Sequence, residues 1–427
     1  MPVLPATVEA WLSYIESLHP KAIEMGLSRV CEVAQRLYLR YPFMVVTVGG
    51  TNGKGSTCAM LERIYMAAGY RVGCYTSPHL MHYQERVRFN GVEISDALLC
   101  EAFSAVEHAR GDVALTYFEM GTLAALWAFE QSPLDVVVLE VGLGGRLDAV
   151  NIVDADCAIV TNVDLDHMEF LGDTREAIGR EKAGIYRQQQ VSICGDQNPP
   201  ATLLEYAKQL GTSLARFMVD YRVELFDDHA LYEDSSGQLT VGALKLVGEY
   251  QWQNVANVIY SVRALSDRLP VSTESVLTAI SQTEVTGRFQ YWNHQPDIIL
   301  DVAHNPHAAR ALLSNLKQLR AHGVFIRAVF SMLSDKDITS VVKVLAEVID
   351  SWDVAAIKHP RAASADFLCE SIRRAVPLER IQTHPDLKSA LQSAYKKAAK
   401  NDKIIVFGSF FTVATILDMS HQDLTQG

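Results

Sequence analysis

Apolar residues in the first half of the chain follow two rhythms that take turns. Short runs lie at 43–48 (FMVVTV), 71–76 (RVGCYT), 135–141 (DVVVLEV) and 157–162 (CAIVTN), with little alternation of polar and apolar positions. That is the pattern of strands buried on both faces of a parallel sheet. Between them, apolar positions recur at helical spacing over 54–68 and 118–131. Residues 7–18 carry the same spacing, with Thr7 placed as an N-cap, and 19–26 reads as a loop. Strands that alternate with helices predict βαβ units and a mainly parallel sheet.

The rhythm shortens between 221 and 250, where DD, EDSSG and VG turns break up brief alternating stretches. A small antiparallel excursion is predicted there. Helical spacing returns at 253–268 and 272–282, and TGRFQ at 286–290 reads as a joint. Beyond it a second βα series begins, with strands predicted at 297–301, 324–330, 354–357 and 403–407. The return to βα alternation predicts a domain boundary at 286/287.

The composition narrows the function classes. The chain has 427 residues, of which 49% are hydrophobic and 21% charged, so it can build a sizeable core and is not disordered. Lys plus Arg number 38 and Asp plus Glu 50, a net charge of −12. That excess argues against nucleic acid or an anionic membrane as partner. The stretch MPVLPATVEAWLSYIESLHPKAIEMG lacks a basic segment followed by an apolar one, and no run approaches the roughly 18 apolar residues of a membrane span. Seven scattered cysteines with no CxxC pair read as reduced thiols, so a cytoplasmic location is expected.

The strongest chemical feature is GGTNGKGS at 49–56, between a predicted strand and a predicted helix. Glycines let backbone N–H groups wrap phosphate oxygens, and the helix N-terminus adds partial positive charge. Lys54 supplies a point charge and Ser56 a hydroxyl for Mg²⁺. One extra glycine, Gly55, separates the lysine from the hydroxyl residue, a departure from the common phosphate-loop spacing. An ordinary glycine-rich turn is the alternative, and the lysine and hydroxyl weigh against it.

Other candidates sit where strands end. Glu140 closes an apolar strand, and Asp164, Asp166 and His167 follow the next one. Ligands bind at the carboxyl ends of strands in open α/β sheets, and a buried carboxylate needs a partner, whether a metal, an arginine or a backbone donor. Asp301 and His304 end the first long strand of the second series, where Asn305 before Pro306 also reads as a helix cap. Ser77 opens a plain turn after the second strand. Arg86 and Arg88 read equally well as a hairpin face. Tyr117, Phe118 and Glu119 read as core and capping residues, and Lys182 by pattern alone as a solvated helix face.

Taken in order, GTNGKGS, TSPHL with ERVRFNG, TYFEMGTLAALW, LEVGLGGRLDAVNI, DHMEFLGDTREAIGREKAGI, GRFQ, DVAHNPHA and FGSFFTV resemble the Mur ligase superfamily over nearly the whole chain. Within it they are similar to bacterial folylpolyglutamate synthases that are also dihydrofolate synthases. The resemblance implies an α/β fold. A P-loop-containing, mainly parallel sheet domain of the Mur central type, binding ATP and pteroate or folate, would span 1–286. A smaller Rossmann-like glutamate ligase domain would span 287–427.

It also implies roles. Thr51, Asn52, Gly53 and Lys54 would hold the ATP phosphates, with Gly55 and Ser56 completing the loop, and Asn254, Arg288, Asp301 and His304 would contact the nucleotide. Ser77, Glu140 and His167 match magnesium ligands, with Ser56 nearby. Lys182 matches a lysine that is carbamylated in the family and serves beside the metal, so that Lys54, His167 and Lys182 form the catalytic set. Glu24, Met25 and Gly26, then Thr116, Tyr117, Phe118 and Glu119, then Leu147, Asp148 and Ala149 match dihydropteroate-binding segments. Phe411 stands where some relatives carry histidine and is given no role.

The implied chemistry is ATP-dependent amide ligation through an acyl phosphate in folate biosynthesis. L-glutamate is added to dihydropteroate and to the γ-carboxylate of tetrahydrofolate and its polyglutamates. ATP, two Mg²⁺ ions and a monovalent cation are the expected cofactors, and a monomer the expected state. A regulatory P-loop NTPase would not need the second α/β series with DVAHNP. A cell-wall ligase of the superfamily would carry a further N-terminal domain. A non-catalytic nucleotide-binding module would not need the metal-ligand positions.

Overall fold

The β-branched runs form strands at the expected places: β1 (Met44–Gly49), β2 (Val72–Tyr75), β5 (Val136–Glu140) and β6 (Cys157–Val160), with β3 (Val87–Phe89) and β4 (Val92–Glu93) between β2 and β5. Two strands follow without a strong signal, β7 (Val191–Cys194) and β8 (Ser213–Arg216). In this computed structural model, which describes residues 4–21, 23–320 and 323–424, all eight form one sheet in the order β4-β3-β2-β5-β1-β6-β7-β8. Every neighbouring pair from β2 to β8 is parallel, and β3 and β4 form an antiparallel margin. The antiparallel excursion is a separate sheet of β9 (Tyr221–Leu225), β10 (Ala230–Asp234) and β11 (Gly237–Val241).

Register decides what the sheet presents. Val48 pairs with Glu140, Tyr75 with Leu139, and Gly49 with Val160. The turns after β1, β2 and β6 and the last residue of β5 therefore stand at one level along the same edge. Helices cover both faces. Helices Val8–Ser17, Asp96–Arg110 and Tyr117–Glu130 bury Trp11, Phe103 and Phe129 on one side. Helices Arg175–Ala183 and Ala201–Leu210 bury Ile178, Leu203 and Ala207 on the other. Each of the buried Phe, Ile and Leu side chains contributes roughly 1.5–3 kcal/mol on leaving water. Thr7 caps its helix, accepting from Ala10 N at 3.3 Å.

The chain divides into two compact units, Met1–Lys245 with Gln251–Thr283, and Leu246–Tyr250 with Glu284–Gly427. The second unit has its own sheet of β12 (Gln290–Asn293), β13 (Asp297–Asp301), β14 (Ile326–Phe330), β15 (Ser351–Val354), β16 (Ile381–Thr383) and β17 (Lys403–Phe407), ordered β12-β13-β17-β14-β15-β16. All its pairs are parallel except β12–β13. The strand expected at 354–357 lies earlier, because its ladder with β16 ends at the Val354–Thr383 pair. A polar residue hides it in the sequence: Asp353 is buried inside the strand and accepts from His384 Nε2 at 2.7 Å.

Among the described residues no helix is long and apolar enough to cross a membrane, and all seven cysteines are free thiols.

Candidate active site

The phosphate loop is shaped by its own side chains and by the next strand's turn. Gly53 takes a left-handed conformation (φ 84°) and hands the chain to the helix Lys54–Ala67. A Cβ there would lie 2.5 Å from Asn254 Oδ1, so both conformation and space require glycine. Lys54 curls back over the loop and donates from Nζ to the carbonyls of Gly50 at 3.1 Å and Thr51 at 3.3 Å. Thr51 and Asp164 exchange two bonds: Thr51 Oγ1 donates to Asp164 O at 3.1 Å and accepts from Asp164 N at 2.9 Å. Asn162 brackets the Asn52 peptide, its Oδ1 accepting from Asn52 N and its Nδ2 donating to Asn52 O, both at 3.0 Å. Thr161 Oγ1 adds a bond to the same carbonyl at 2.6 Å. Ser56 is buried in the first helical turn and accepts from Gln251 Nε2 at 3.4 Å; Gln251 in turn accepts from Asn254 Nδ2 at 3.0 Å.

One strand away, Glu140 is buried at the end of β5 and accepts from the Ser77 backbone N–H at 3.0 Å. Asp166 accepts from His167 N at 2.9 Å, and His167 sits in a left-handed turn (φ 50°) with its ring one-third exposed. Lys182 is not on a solvated face. It is 4% exposed, and its ammonium makes no hydrogen bond or ion pair among the described residues. Burial, reinforced by the Lys54 charge and only partly offset by Asp166 and Asp148, pulls its ammonium down to about 7. Asp148 is pushed up to about 6 by burial, against the pull of the N–H groups of Leu143 and Val150, which donate to it at 2.8 and 3.0 Å.

A group of at least three His, Cys, Asp or Glu side chains poised as a metal site does not occur among the described residues. The donors present are the Ser56 and Ser77 hydroxyls, the Glu140 carboxylate and the His167 imidazole. Mg²⁺ keeps several waters and takes one or two carboxylates plus substrate phosphates, so this sparse, oxygen-rich set beside a phosphate loop fits that ion better than a closed protein cage.

The three segments matched to the pteroate site come together in the first unit. Thr116 and Glu119 form a capping box that opens the helix Tyr117–Glu130, with Thr116 N donating to Glu119 Oε2 at 2.8 Å. Arg29 links Glu119 to Glu24. The Phe118 ring lies where a Cβ on Gly142 would come within 2.6 Å, and a Cβ on Gly144 would lie 3.7 Å from the Met25 methyl. Arg88 forks onto buried Glu62, as the hairpin reading has it. Arg86 instead ends a 3₁₀ turn, donates to His79 Nδ1 at 2.8 Å, and stands over the Tyr83 and Tyr117 rings at 5.2 and 5.7 Å.

In the second unit Asp301 is buried at the end of β13 and accepts from Phe289 N at 2.9 Å and Ala303 N at 2.8 Å. Burial raises its pKa, and the Arg288 charge works against that. Arg288 lies 5.7 Å from the Phe410 ring, which also faces His304 at 6.0 Å. Asn305 caps the helix Pro306–Leu319, accepting from Ala308 N at 2.8 Å. Phe411 packs on His359, the ring centroids 4.2 Å apart.

Residues 48–262 match the Mur ligase middle domain and residues 287–410 the Mur ligase glutamate ligase domain. The Escherichia coli (strain K12) dihydrofolate synthase/folylpolyglutamate synthase is 44% identical over 419 residues, covering 98% of this chain and 96% of its own. The chain belongs to this Mur ligase family. Among solved structures, Escherichia coli FolC in complex with DHPP and ADP superposes with a TM-score of 0.92 at 44% identity, covering 98% of both chains. The Yersinia pestis bifunctional folylpolyglutamate synthase/dihydrofolate synthase, complexed with AMPPNP and Mn, superposes at 0.90 with 43% identity and 98% coverage of both chains. This chain is accordingly a bifunctional dihydrofolate synthase/folylpolyglutamate synthase, an ATP-dependent glutamate ligase.

Sequence reasoning missed the residues that build the family's phosphate loop from behind. Thr161, Asn162 and Gln251 are polar residues on or beside buried elements with no motif around them, and their only signal is polarity in an apolar setting. Gln253 belongs with them, bonding the carbonyls of Thr161 and Gly195.

Proposed function

We propose that dihydropteroate and tetrahydrofolate, with its polyglutamates, are the acids ligated here, and that both react with ATP and L-glutamate at the one sheet edge described above. The observation that carries this reading is the register that levels the phosphate loop, Glu140 and Ser77, because the γ-phosphate and the acid must meet there. The acid's carboxylate oxygen attacks the γ-phosphorus, ADP leaves, and an acyl phosphate forms. The glutamate amine then attacks the acyl carbon, giving the amide and phosphate. The chain's own residues hold and orient. Backbone N–H groups of 53–55 and the Lys54 ammonium cradle the phosphates, with Thr51 and Asn52 completing the loop, while Asn254, Arg288, Asp301 and His304 contact the nucleotide. Glu24, Met25 and Gly26, with Thr116–Glu119 and Leu147–Ala149, form the pteroate site.

Ser56, Ser77, Glu140 and His167 would hold Mg²⁺, which supplies charge neutralisation on the transferring phosphoryl group. Two such ions and a monovalent cation belong to this reading. Lys182 would be carbamylated: its neutral amine adds CO₂ and releases a proton, turning a buried unpaired amine into a carboxylate-like group. With the ammonium held near 7, about 90% of the amine is neutral at pH 8, against well under 1% for an ordinary lysine. The seven free thiols agree with a cytoplasmic location, and the working state is a monomer, with neither nucleic acid nor membrane as partner. The test is ADP release with ATP, Mg²⁺ and L-glutamate, adding dihydropteroate or tetrahydrofolate in turn. Release with both is expected. Release with neither contradicts the reading, and release with only one removes the other substrate.

A further inference from the structure

Arg29 is poorly placed for its own helix. It is the second residue of Ser28–Arg36, in the first turn, where the helix macrodipole disfavours a cation. Its guanidinium faces two other segments. Nε and Nη2 donate to Glu119 at 3.3 and 2.9 Å, and Nη2 also donates to the Glu24 carbonyl at 2.9 Å. Nη1 stands 3.4 Å from the Glu24 carboxylate. Glu119 is 3% exposed, so its carboxylate depends on this partner and on the Thr116 N–H. The stretch 23–26 has neither helix nor strand to hold it, and a planar guanidinium fork fixes the relative geometry of a carboxylate and a carbonyl, which a compact, freely rotating ammonium does not.

We propose that Arg29 is the positioning residue of the pterin pocket. It fixes the spacing between the loop carrying Met25 and Gly26 and the helix start carrying Tyr117 and Phe118. The slot for the flat ring end of the acid is thereby formed before the acid arrives. A preformed slot lowers the ordering cost of binding, so the effect of losing it falls on affinity for the acid and not on phosphoryl transfer. The inference rests on the substrate assignment made above.

The test compares wild type with Arg29→Ala, Arg29→Lys and Glu119→Gln. It measures KM for dihydropteroate, tetrahydrofolate and ATP, together with kcat and the thermal midpoint. Arg29→Ala is expected to raise KM for both pterin acids by about tenfold or more, with kcat and the KM for ATP within about twofold of wild type. Arg29→Lys should recover part of that loss, because it keeps the charge and loses the fork, and Glu119→Gln should resemble it. Unchanged KM for both acids in Arg29→Ala, or a fall confined to kcat, overturns the proposal. If Arg29→Ala does not fold, Arg29→Lys decides: wild-type KM values overturn the proposal, and a rise of about threefold or more with unaltered KM for ATP supports it. If wild type itself ligates neither acid, the substrate assignment falls and this inference falls with it, which is a different result from an unaffected variant.

Discussion

The Ser77 backbone N–H donates to the Glu140 carboxylate at 3.0 Å, joining the turn after β2 to the last residue of β5. The bond needs an acceptor oxygen and does not need a charge. Glu140→Gln keeps that acceptor and removes the charge that the Mg²⁺ reading requires. It should lower kcat/KM by about a hundredfold or more while leaving the thermal midpoint within a few degrees. A variant with near wild-type turnover would make Glu140 a purely structural tie.

Lys54 reaches the carbonyls of Gly50 and Thr51 from the first turn of its helix. Lys54→Ala is expected to remove ATP-dependent turnover, measured as ADP release, since it removes the cation that bonds this loop. An unchanged kcat would refute the phosphate-loop role.

Lys182 gives two expectations. Lys182→Ala should abolish ligation, with partial recovery in added short carboxylates, and full activity in the variant would exclude the carbamate. The second concerns stability. With the folded ammonium at about 7 and the unfolded one near 10.4, the unfolded chain holds an extra proton between those values. Stability of CO₂-free wild type should therefore rise with pH across that window, by about 1.4 kcal/mol per pH unit at most. Below pH 7 the penalty is fully present and flat. Denaturant melts of CO₂-free wild type against Lys182→Met should show the variant ahead at pH 6 and the gap closing toward pH 10. A gap that does not change with pH contradicts the burial account.

Two neighbouring glycines should respond with opposite signs. Gly53→Ala forces a Cβ into a left-handed residue and against Asn254, and should cost about 1–3 kcal/mol of stability and weaken ATP binding. Gly55→Ala lies inside the helix with open space around its Cβ, and should gain up to about 1 kcal/mol in stability. Thermal melts of the two variants check both signs.

Much of this was legible in the chain. Buried strands announce themselves by β-branched runs, and a phosphate loop by glycines with a lysine, so β1, β2, β5, β6 and the loop 49–56 could be read directly. Strands β7 and β8 could not. VSIC and SLAR are short and mixed, and Ser192 is buried only because Gln190 and Thr212 satisfy its hydroxyl. Lys182 shows the sharper limit. A lysine in a helix is ordinarily solvated, and its burial is set by tertiary packing. Gly145 has no side chain, and the backbone there closes onto the Glu181 and Lys182 carbonyls from the turn after β5. No local pattern carries that approach, and only the family resemblance pointed to the residue. The Arg29–Glu119 pair has the same character, because its partners lie 90 positions apart.

The account rests on an acyl phosphate formed at the sheet edge, and an oxygen-transfer experiment tests it most directly. Dihydropteroate labelled with ¹⁸O in its carboxylate is incubated with ATP, Mg²⁺ and L-glutamate, and the released inorganic phosphate is analysed by mass spectrometry. The acid's oxygen stays on phosphorus when the glutamate amine displaces phosphate, so one labelled oxygen per amide formed is expected in the phosphate. Amide product accompanied by unlabelled phosphate would contradict the mechanism.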